Sequence, residues 1–392
     1  MASRRIRLLV TVSEFVLSSQ VRNLYDLLSC IDRDRFEVEV GALSLGDDAM
    51  ESVGRLGFPI FGLRLQPTRP LRRGQLAQLF RGPVQYVRGR YDIVHSLLYQ
   101  SIATEALAVR VLGRGRYVFT KSNLEWANHS SQWRAKCGLS NGIISISNAT
   151  TALLRDKGFG NRCEQIPLGI DVDAFTSSPD KRHALREQLG LTGDAFVFGC
   201  AAQFIEIKEH LTAIKAFERL ADREPSVHLI LCGVNYKDDY YRRCESYVSR
   251  SRHAKRIKMV GQVADMQGFY SAIDVFVLPS RFEAFGYVYV EAMSCGRPAI
   301  ACRAGGPAEI IVDGETGYLC NVSDSEDLEK KMRTYASHRE LVVTHGNSSR
   351  RRAVEVYSKQ VMVRRTEAFY LRTLGEAQRQ SILSRAADRS RS

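Results

Sequence analysis

Short apolar segments alternate with helix-like segments along most of the chain, and this alternation limits the possible folds more than any other feature. Strand-like runs at residues 6–13 and 36–44 begin a series that continues to a segment rich in Pro, Gly, Asp and Ser at 164–183. The same alternation begins again at residues 195–204. Short apolar strands separated by helices predict parallel, doubly wound sheets. The sequence therefore predicts an α/β protein with two Rossmann-like domains.

The predicted domain boundaries follow from that interruption. The first domain is expected at residues 1–172 and the second at residues 173–354. A long helix at about 355–378 is expected to pack back on the first domain. The polar segment 379–392 is expected to be a disordered tail.

Composition excludes several classes of protein. No apolar run reaches the ~18–20 residues of a membrane span, and the first residues lack the end of a cleavable signal. A cytoplasmic location is therefore expected, with peripheral attachment to the inner face of the membrane as an extension of it. The nine cysteines are scattered, without zinc-binding spacing, and several lie in apolar runs. They are interpreted as reduced thiols.

The chain carries a formal net charge of +13, and residues 1–170 account for +9 of it, with 23 Lys and Arg against 14 Asp and Glu. Such a surface favours anionic partners: a phosphorylated substrate, acidic lipid headgroups or nucleic acid. A basic face that serves only solubility is the alternative. No nucleic-acid-binding signature accompanies the charge, so nucleic acid is not an expected partner. The basic segment containing Arg72, Arg73 and Arg81 leads to the hypothesis that the first domain docks on an anionic membrane surface.

A strand-like run at residues 274–280 leads into two glutamates, Glu283 and Glu291, which lie eight positions apart around Gly286. Ligands of doubly wound sheets bind beyond the carboxyl ends of the strands, so these residues lie where a site is expected. Carboxylates accept hydrogen bonds from the hydroxyl groups of sugars and ribose. The amides of residues 285–287, at the expected start of a helix, suit a diphosphate. Two glutamates on a solvated helix surface remain the alternative interpretation.

Two further segments favour a site for a phosphorylated ligand. Lys208 is the only cation in residues 202–210, just after a predicted strand, and a point charge there suits phosphate. Gly305 and Gly306 follow another predicted strand, and glycines let the backbone approach a ligand closely.

Together these segments, over residues 274–319, resemble the retaining glycosyltransferases of the large E-x7-E family, which is glycosyltransferase family four of group 1 type. The resemblance extends more loosely over roughly residues 5–375. It implies the GT-B fold, in which two Rossmann-like domains face each other across a cleft and a C-terminal helix packs back on the first domain.

The resemblance also implies roles for the residues that match the family motifs. Glu283 matches the first glutamate, near the hydroxyl groups and reacting face of the donor sugar. Lys208 matches the lysine that neutralises the diphosphate as it leaves. Both are predicted to be catalytic, by stabilising charge that develops in the transition state.

Other matching positions are expected to bind the donor. Glu291 matches the glutamate that holds the ribose. The backbone amides of Phe285, Gly286 and Tyr287 match a loop that contacts the phosphate and the sugar. Val263 lies where family members contact the base through the backbone.

The chain departs from the family pattern at several positions. Gln203 replaces an arginine beside the diphosphate, so charge neutralisation is expected to depend more on Lys208. Ser18 and Ser19 stand where the family has a glycine-rich loop, and Leu168 replaces an asparagine. Ser18, Ser19 and His95 are predicted to lie on the acceptor side, although a histidine at a strand end is often a packed, hydrogen-bonded residue.

The predicted function is transfer of a sugar from a UDP- or GDP-linked donor to a polysaccharide or lipid-linked acceptor, with retention of anomeric configuration. No cofactor is expected, and no metal, because no D-x-D-like motif stands in the expected context. A degenerate, non-catalytic relative acting as a binding or accessory subunit is the main alternative. A basic nucleic-acid-binding protein and a nucleotide-sugar epimerase are further alternatives.

Overall fold

The structure is a computed structural model that divides into two compact units, residues 1–169 with 359–392, and residues 170–358. It describes residues 4–14, 18–45, 47–63, 89–99, 103–112, 115–124, 130–191, 193–234 and 239–389. Arg72, Arg73 and Arg81, on which the membrane-docking hypothesis depends, lie outside the described residues.

The division falls a few residues from the predicted boundaries. Ile170 and Ser358 form a backbone bridge, and the Ile170 amide donates to the Tyr357 carbonyl oxygen at 2.9 Å. Because these two segments pair, the chain leaves and rejoins the first unit at neighbouring positions.

The described part of the first unit forms one parallel sheet in the order β3-β2-β1-β4-β5-β6-β7. Its strands are β1 (Ile6–Glu14), β2 (Phe36–Ser44), β3 (Ile60–Gly62), β4 (Ile93–Ser96), β5 (Arg116–Lys121), β6 (Gly142–Ser145) and β7 (Cys163–Gln165). The helices between them are α1 (Ser19–Cys30), α2 (Asp47–Gly54), α3 (Thr104–Leu112), α4 (Ser130–Leu139) and α5 (Asn148–Asp156). The central strand β1 is buried on both faces: Leu8 and Val10 join one apolar cluster and Leu9 joins another. A strand covered on both faces reads as a continuous apolar run, which is why it was recognisable in the sequence.

The second unit forms a parallel sheet in the order β10-β9-β8-β11-β12-β13 over its described residues. Its strands are β8 (Phe196–Ala201), β9 (Val227–Cys232), β10 (Ile257–Gly261), β11 (Val275–Leu278), β12 (Ala299–Cys302) and β13 (Gly317–Cys320). Its helices are α6 (Pro179–Gln188), α7 (His210–Ala221), α8 (Asp239–Arg250), α9 (Met266–Ala272), α10 (Tyr287–Ser294), α11 (Pro307–Ile310), α12 (Ser325–Ser337) and α13 (Glu340–Tyr357). The α/β class with two doubly wound domains is confirmed.

The C-terminal helix α14 (Lys359–Arg389) packs within the first unit, as expected. Met362, Val363, Phe369 and Tyr370 are buried in the apolar cluster that contains β1 and α1. The helix begins at Lys359 rather than near 355, because α13 ends at Tyr357 and the extended Ser358 separates the two helices. Its backbone stays helical to Arg389, over positions where the sequence predicts a disordered tail.

Among the helices that the structure describes, none has the length and apolar character needed to cross a membrane.

Candidate active site

The second sheet has its switch point between β8 and β11, where the order of strands reverses. These two strands pair in parallel, so their carboxyl ends lie at the same edge of the sheet. Loops leaving such neighbouring strands in opposite directions leave room for a ligand. Lys208 lies on the loop after β8, and Glu283 lies on the loop after β11.

The two predicted catalytic side chains are in contact at this point. The Lys208 Nζ lies 2.5 Å from the Glu283 Oε1, and the Ser280 Oγ donates to the same oxygen at 3.2 Å. The side chains of Lys208 and Glu283 retain 18% and 15% of their exposure. The pair is therefore shielded but reachable, so its charges act in a medium less polar than bulk water.

Gly305 and Gly306, which follow β12, form a third side of this site. The sequence predicts that they let the backbone approach a ligand, but the structure shows them in close contact with the protein's own backbone. A Cβ on Gly305 would lie 2.2 Å from the Glu283 carbonyl oxygen, and one on Gly306 would lie 2.3 Å from that of Phe285. The Gly306 amide donates to the Glu283 carbonyl oxygen at 2.9 Å. The close approach that requires glycine is thus to the backbone of residues 283–285, and it fixes the loop that carries Glu283.

Helix α10 begins beside this loop. Gly286 precedes the helix with φ +105°, a left-handed conformation that favours glycine, and no described side chain caps the helix there. Phe285 is buried, with its ring 5.5 Å from that of Tyr287 and 5.9 Å from that of Tyr357. Phe285 thus anchors the turn, and the start of α10 presents the positive end of a helix dipole near Glu283.

Glu291 lies inside α10 and is only 4% exposed. Its Oε2 accepts a hydrogen bond from the hydroxyl group of the fully buried Tyr270 at 2.6 Å. The two glutamates of the motif therefore differ: Glu283 is paired with a cation, whereas Glu291 is held by a phenol.

The remaining predicted donor-side residues lie on loops after strands. The side chain of Gln203, after β8, is exposed, and that of Val263, after β10, is half-buried. Among the described residues, no hydrogen bond or ion pair joins either of them to Lys208 or Glu283.

The first unit has its own switch point, between β1 and β4. Ser18 caps α1, where its Oγ accepts from the Val21 amide at 3.4 Å. The Ser19 Oγ is hydrogen-bonded to the hydroxyl group of Tyr99, which follows β4. Ser18 and Ser19 therefore lie where a ligand of this sheet is expected.

His95, by contrast, is only 2% exposed. Its Nδ1 is 2.5 Å from the Tyr370 hydroxyl oxygen and its Nε2 is 2.8 Å from the Thr120 Oγ1. Burial lowers the pKa of His95 to about 3, so the ring is neutral at physiological pH. These contacts favour the packed interpretation, in which His95 joins α14 to the sheet.

Several neighbours of the site gave no recognisable signal in the sequence. Ser280 lies three positions before Glu283, whereas Tyr270 is brought to Glu291 by the fold from 21 positions away. Among the described residues, no three His, Cys, Asp or Glu side chains are grouped so that they could hold a metal ion.

Comparison with known proteins decides the family. The model of glycosyl transferases group 1 matches residues 181–352, and that of glycosyltransferase family 4 matches residues 20–174. The chain belongs to the group 1 glycosyltransferases.

Similar curated proteins include two mannosyltransferases. A GDP-mannose-dependent alpha-(1-6)-phosphatidylinositol monomannoside mannosyltransferase of Mycolicibacterium smegmatis is 31% identical over 41% of this chain and 44% of its own length. A GDP-mannose-dependent monoacylated alpha-(1-6)-phosphatidylinositol monomannoside mannosyltransferase of Corynebacterium glutamicum is 29% identical over 51% of this chain and 54% of its own length. The chain thus covers about half the length of these relatives.

The solved structure of Alr3699/HepE from Anabaena in complex with UDP has the same fold. Its TM-score is 0.81 at 22% identity, over 93% of this chain and 98% of that one. The GT-B fold class expected for this group 1 glycosyltransferase is thereby confirmed.

Proposed function

We propose that this chain is a glycosyltransferase that moves a sugar from a nucleoside-diphosphate sugar to an acceptor hydroxyl group. The observation that carries the proposal is the contact between Lys208 and Glu283 at the switch point of the second sheet, beside the start of α10. Membership in the group 1 glycosyltransferases supports it.

The chemistry follows from where charge develops. When the bond between the anomeric carbon and the phosphate oxygen breaks, negative charge grows on the diphosphate and positive charge on the sugar ring. The Lys208 ammonium and the start of α10 stabilise the first, and the Glu283 carboxylate stabilises the second. Glu291, fixed by Tyr270, is suited to accept from the hydroxyl groups of the ribose.

We further propose that the anomeric configuration is retained. The acceptor attacks the face that the diphosphate leaves, and the departing phosphate oxygen takes the proton of the acceptor hydroxyl group. A covalent intermediate on Glu283 is the less favoured route. Since Lys208 and backbone amides neutralise the diphosphate in this scheme, no metal is required and chelation of divalent cations leaves the rate unchanged.

The donor and acceptor classes rest on similar proteins. The two mannosyltransferases are named for GDP-mannose and for phosphatidylinositol mannosides, and HepE was crystallised with UDP. These names support a UDP- or GDP-linked donor and a lipid-linked or polysaccharide acceptor for this chain. A cytoplasmic, membrane-peripheral location would give access to a lipid-linked acceptor, which Ser18 and Ser19 would help to bind.

A non-catalytic accessory subunit is the second candidate, and Gln203 favours it. This exposed, neutral side chain lies just after β8, where the family places an arginine, so the diphosphate would gain less charge neutralisation. The accessory function predicts nucleotide binding without turnover.

A donor panel separates the two candidates. Thermal shift with UDP-, GDP- and ADP-sugars identifies the donor, and release of the nucleoside diphosphate is then measured with and without acceptor. Turnover by the native chain and its loss in Glu283→Ala are expected. Binding of a donor without turnover would favour the accessory subunit, and binding of none of them would contradict both.

A further inference from the structure

Glu209, the residue after Lys208, has an unusual backbone conformation. Its φ of +56° and ψ of +39° place it in the left-handed region, which residues other than Gly, Asn and Asp rarely enter. It ends the short 3-10 turn Glu206–Lys208 and precedes α7. Contacts elsewhere must hold a glutamate in this conformation, because the backbone alone disfavours it.

Three segments of the second unit supply those contacts. The Glu209 carboxylate accepts a hydrogen bond from the Thr212 hydroxyl group, lies 3.0 Å from the Arg281 Nε, and accepts from the Ser323 Oγ at 3.2 Å. Thr212 lies in α7, Arg281 follows β11, and Ser323 follows β13. We refer to Glu209, Thr212, Arg281 and Ser323 as the Glu209 cluster.

Arg281 connects this cluster to the site. Its amide donates to the Ile207 carbonyl oxygen at 2.9 Å, so the loops after β8 and β11 are also joined through their backbones. Arg281 lies two positions before Glu283, and Glu209 lies one position after Lys208. Each member of the Glu209–Arg281 ion pair therefore lies within two positions of one member of the Lys208–Glu283 pair.

We propose that Glu209 is a positioning residue that, through Arg281, holds the Lys208 ammonium at the place where the donor diphosphate binds. The inference rests on the proposed function, because it assumes a nucleoside-diphosphate ligand. Glu209 acts through Lys208 and does not contact the donor. Its removal should weaken the contact with the diphosphate and leave the contact with the nucleoside unchanged.

The test uses Glu209→Gly in the full chain. Glycine adopts φ +56° without strain, so the variant keeps the backbone turn. It loses only the contacts that the Glu209 carboxylate makes with Thr212, Arg281 and Ser323. Arg90→Gly is the matched control, since Arg90 also has a positive φ, of +47°, but belongs to the first unit. Arg281→Met removes the cation that faces Glu209. Arg281→Lys keeps the positive charge but loses the geometry of the guanidinium group.

Affinities for UDP, GDP or ADP, whichever binds the native chain, and for the matching nucleoside are measured by calorimetry. Glu209→Gly and Arg281→Met are expected to weaken diphosphate binding about tenfold, with Arg281→Lys intermediate. Binding of the nucleoside, and both affinities of Arg90→Gly, are expected to be unchanged. In a Lys208→Ala background the further effect of Glu209→Gly should fall below about twofold, because both changes remove the same contact.

Three outcomes overturn the inference. Native diphosphate affinity in Glu209→Gly would show that the cluster does not position Lys208. Equal weakening of nucleoside and diphosphate, or a full tenfold loss in the Lys208→Ala background, would show that Glu209 acts on the structure at large. If the native chain binds none of UDP, GDP and ADP, the proposed function fails and the inference fails with it.

Discussion

The two units differ in how far they expose their ionisable side chains to solvent. In the second unit, Lys208 and Glu283 are paired at the switch point and remain partly exposed. In the first unit, Glu105, Lys121 and Lys136 are all fully buried. The accessible pair thus lies at the candidate site, whereas the fully buried group is part of the core of its unit.

The buried group in the first unit satisfies its polar atoms internally. The Glu105 carboxylate accepts from the Thr11 Oγ1 at 2.7 Å and from the Tyr117 hydroxyl group at 3.0 Å. The Lys121 Nζ lies 3.8 Å from the centroid of the Trp133 ring. Burial lowers the pKa of Lys136 to about 8, while the charge of Glu105 opposes that shift. Such a network holds the sheet and α3 together and offers little to a ligand.

Glu283→Gln is expected to give the largest effect on activity. It keeps the size of the side chain and a hydrogen-bond acceptor but removes the charge that stabilises the developing positive sugar. Turnover should fall by about 100-fold or more, while the free energy of unfolding changes by about 1 kcal/mol or less. Glu187→Gln, at an exposed position of α6, is the control. If the variant lost stability but kept its turnover, Glu283 would have a structural role and not a catalytic one.

Glu105→Ala is expected to give the opposite pattern in the first unit. Removing a buried carboxylate leaves the Thr11 and Tyr117 hydroxyl groups and the charge of Lys136 uncompensated, which should cost about 3–5 kcal/mol in free energy of unfolding. Urea unfolding measures this cost, and the exposed Glu187→Ala is the matched control. Turnover per folded molecule should stay near the native value. A stable but inactive variant would show that Glu105 belongs to a functional site.

His95 gives a smaller, pH-dependent effect. The folded state holds the ring neutral with a pKa of about 3, whereas in the unfolded chain the pKa is near 6.5. The unfolded chain therefore binds the proton first, so His95 lowers stability as the pH falls from 6.5 towards 3, by up to about 1.4 kcal/mol per pH unit.

Comparison of native chain and His95→Gln isolates this contribution, because His210, whose pKa burial lowers to about 4, titrates in both proteins. The variant should be less stable at pH 7 and should lose less stability on acidification. Parallel pH profiles of the two proteins would contradict the buried, neutral assignment.

The sequence predicts the second unit better than the first, for a physical reason. Residues that bind a charged ligand must stand at fixed positions after particular strands, so Lys208, Glu283, Gly286 and Glu291 form a pattern that can be read directly. Residues 210–221 have the regular apolar spacing of an amphipathic helix, and α7 begins and ends at these residues. In the first unit the polar partners lie far apart along the chain, as His95 and Tyr370 do at a separation of 275 positions.

Other features could not be read from the sequence in either unit. The left-handed conformation of Glu209 depends on contacts from three separate segments, and no local pattern encodes it. The glycine pair was recognised as a close approach, but its partner, the backbone of residues 283–285, is set by the packing of β11 against β12. The separation of α13 from α14 depends on the pairing of Ser358 with Ile170.

The most direct test of the central claim is calorimetric titration of the native chain and Lys208→Ala with a nucleoside diphosphate and with the corresponding nucleoside. Lys215→Ala, which changes an exposed lysine on α7, is the matched control. If the Lys208 ammonium binds the diphosphate, the variant should lose at least about tenfold in affinity for the diphosphate and none for the nucleoside, with Lys215→Ala unchanged. Equal diphosphate affinity in the native chain and Lys208→Ala would contradict the account.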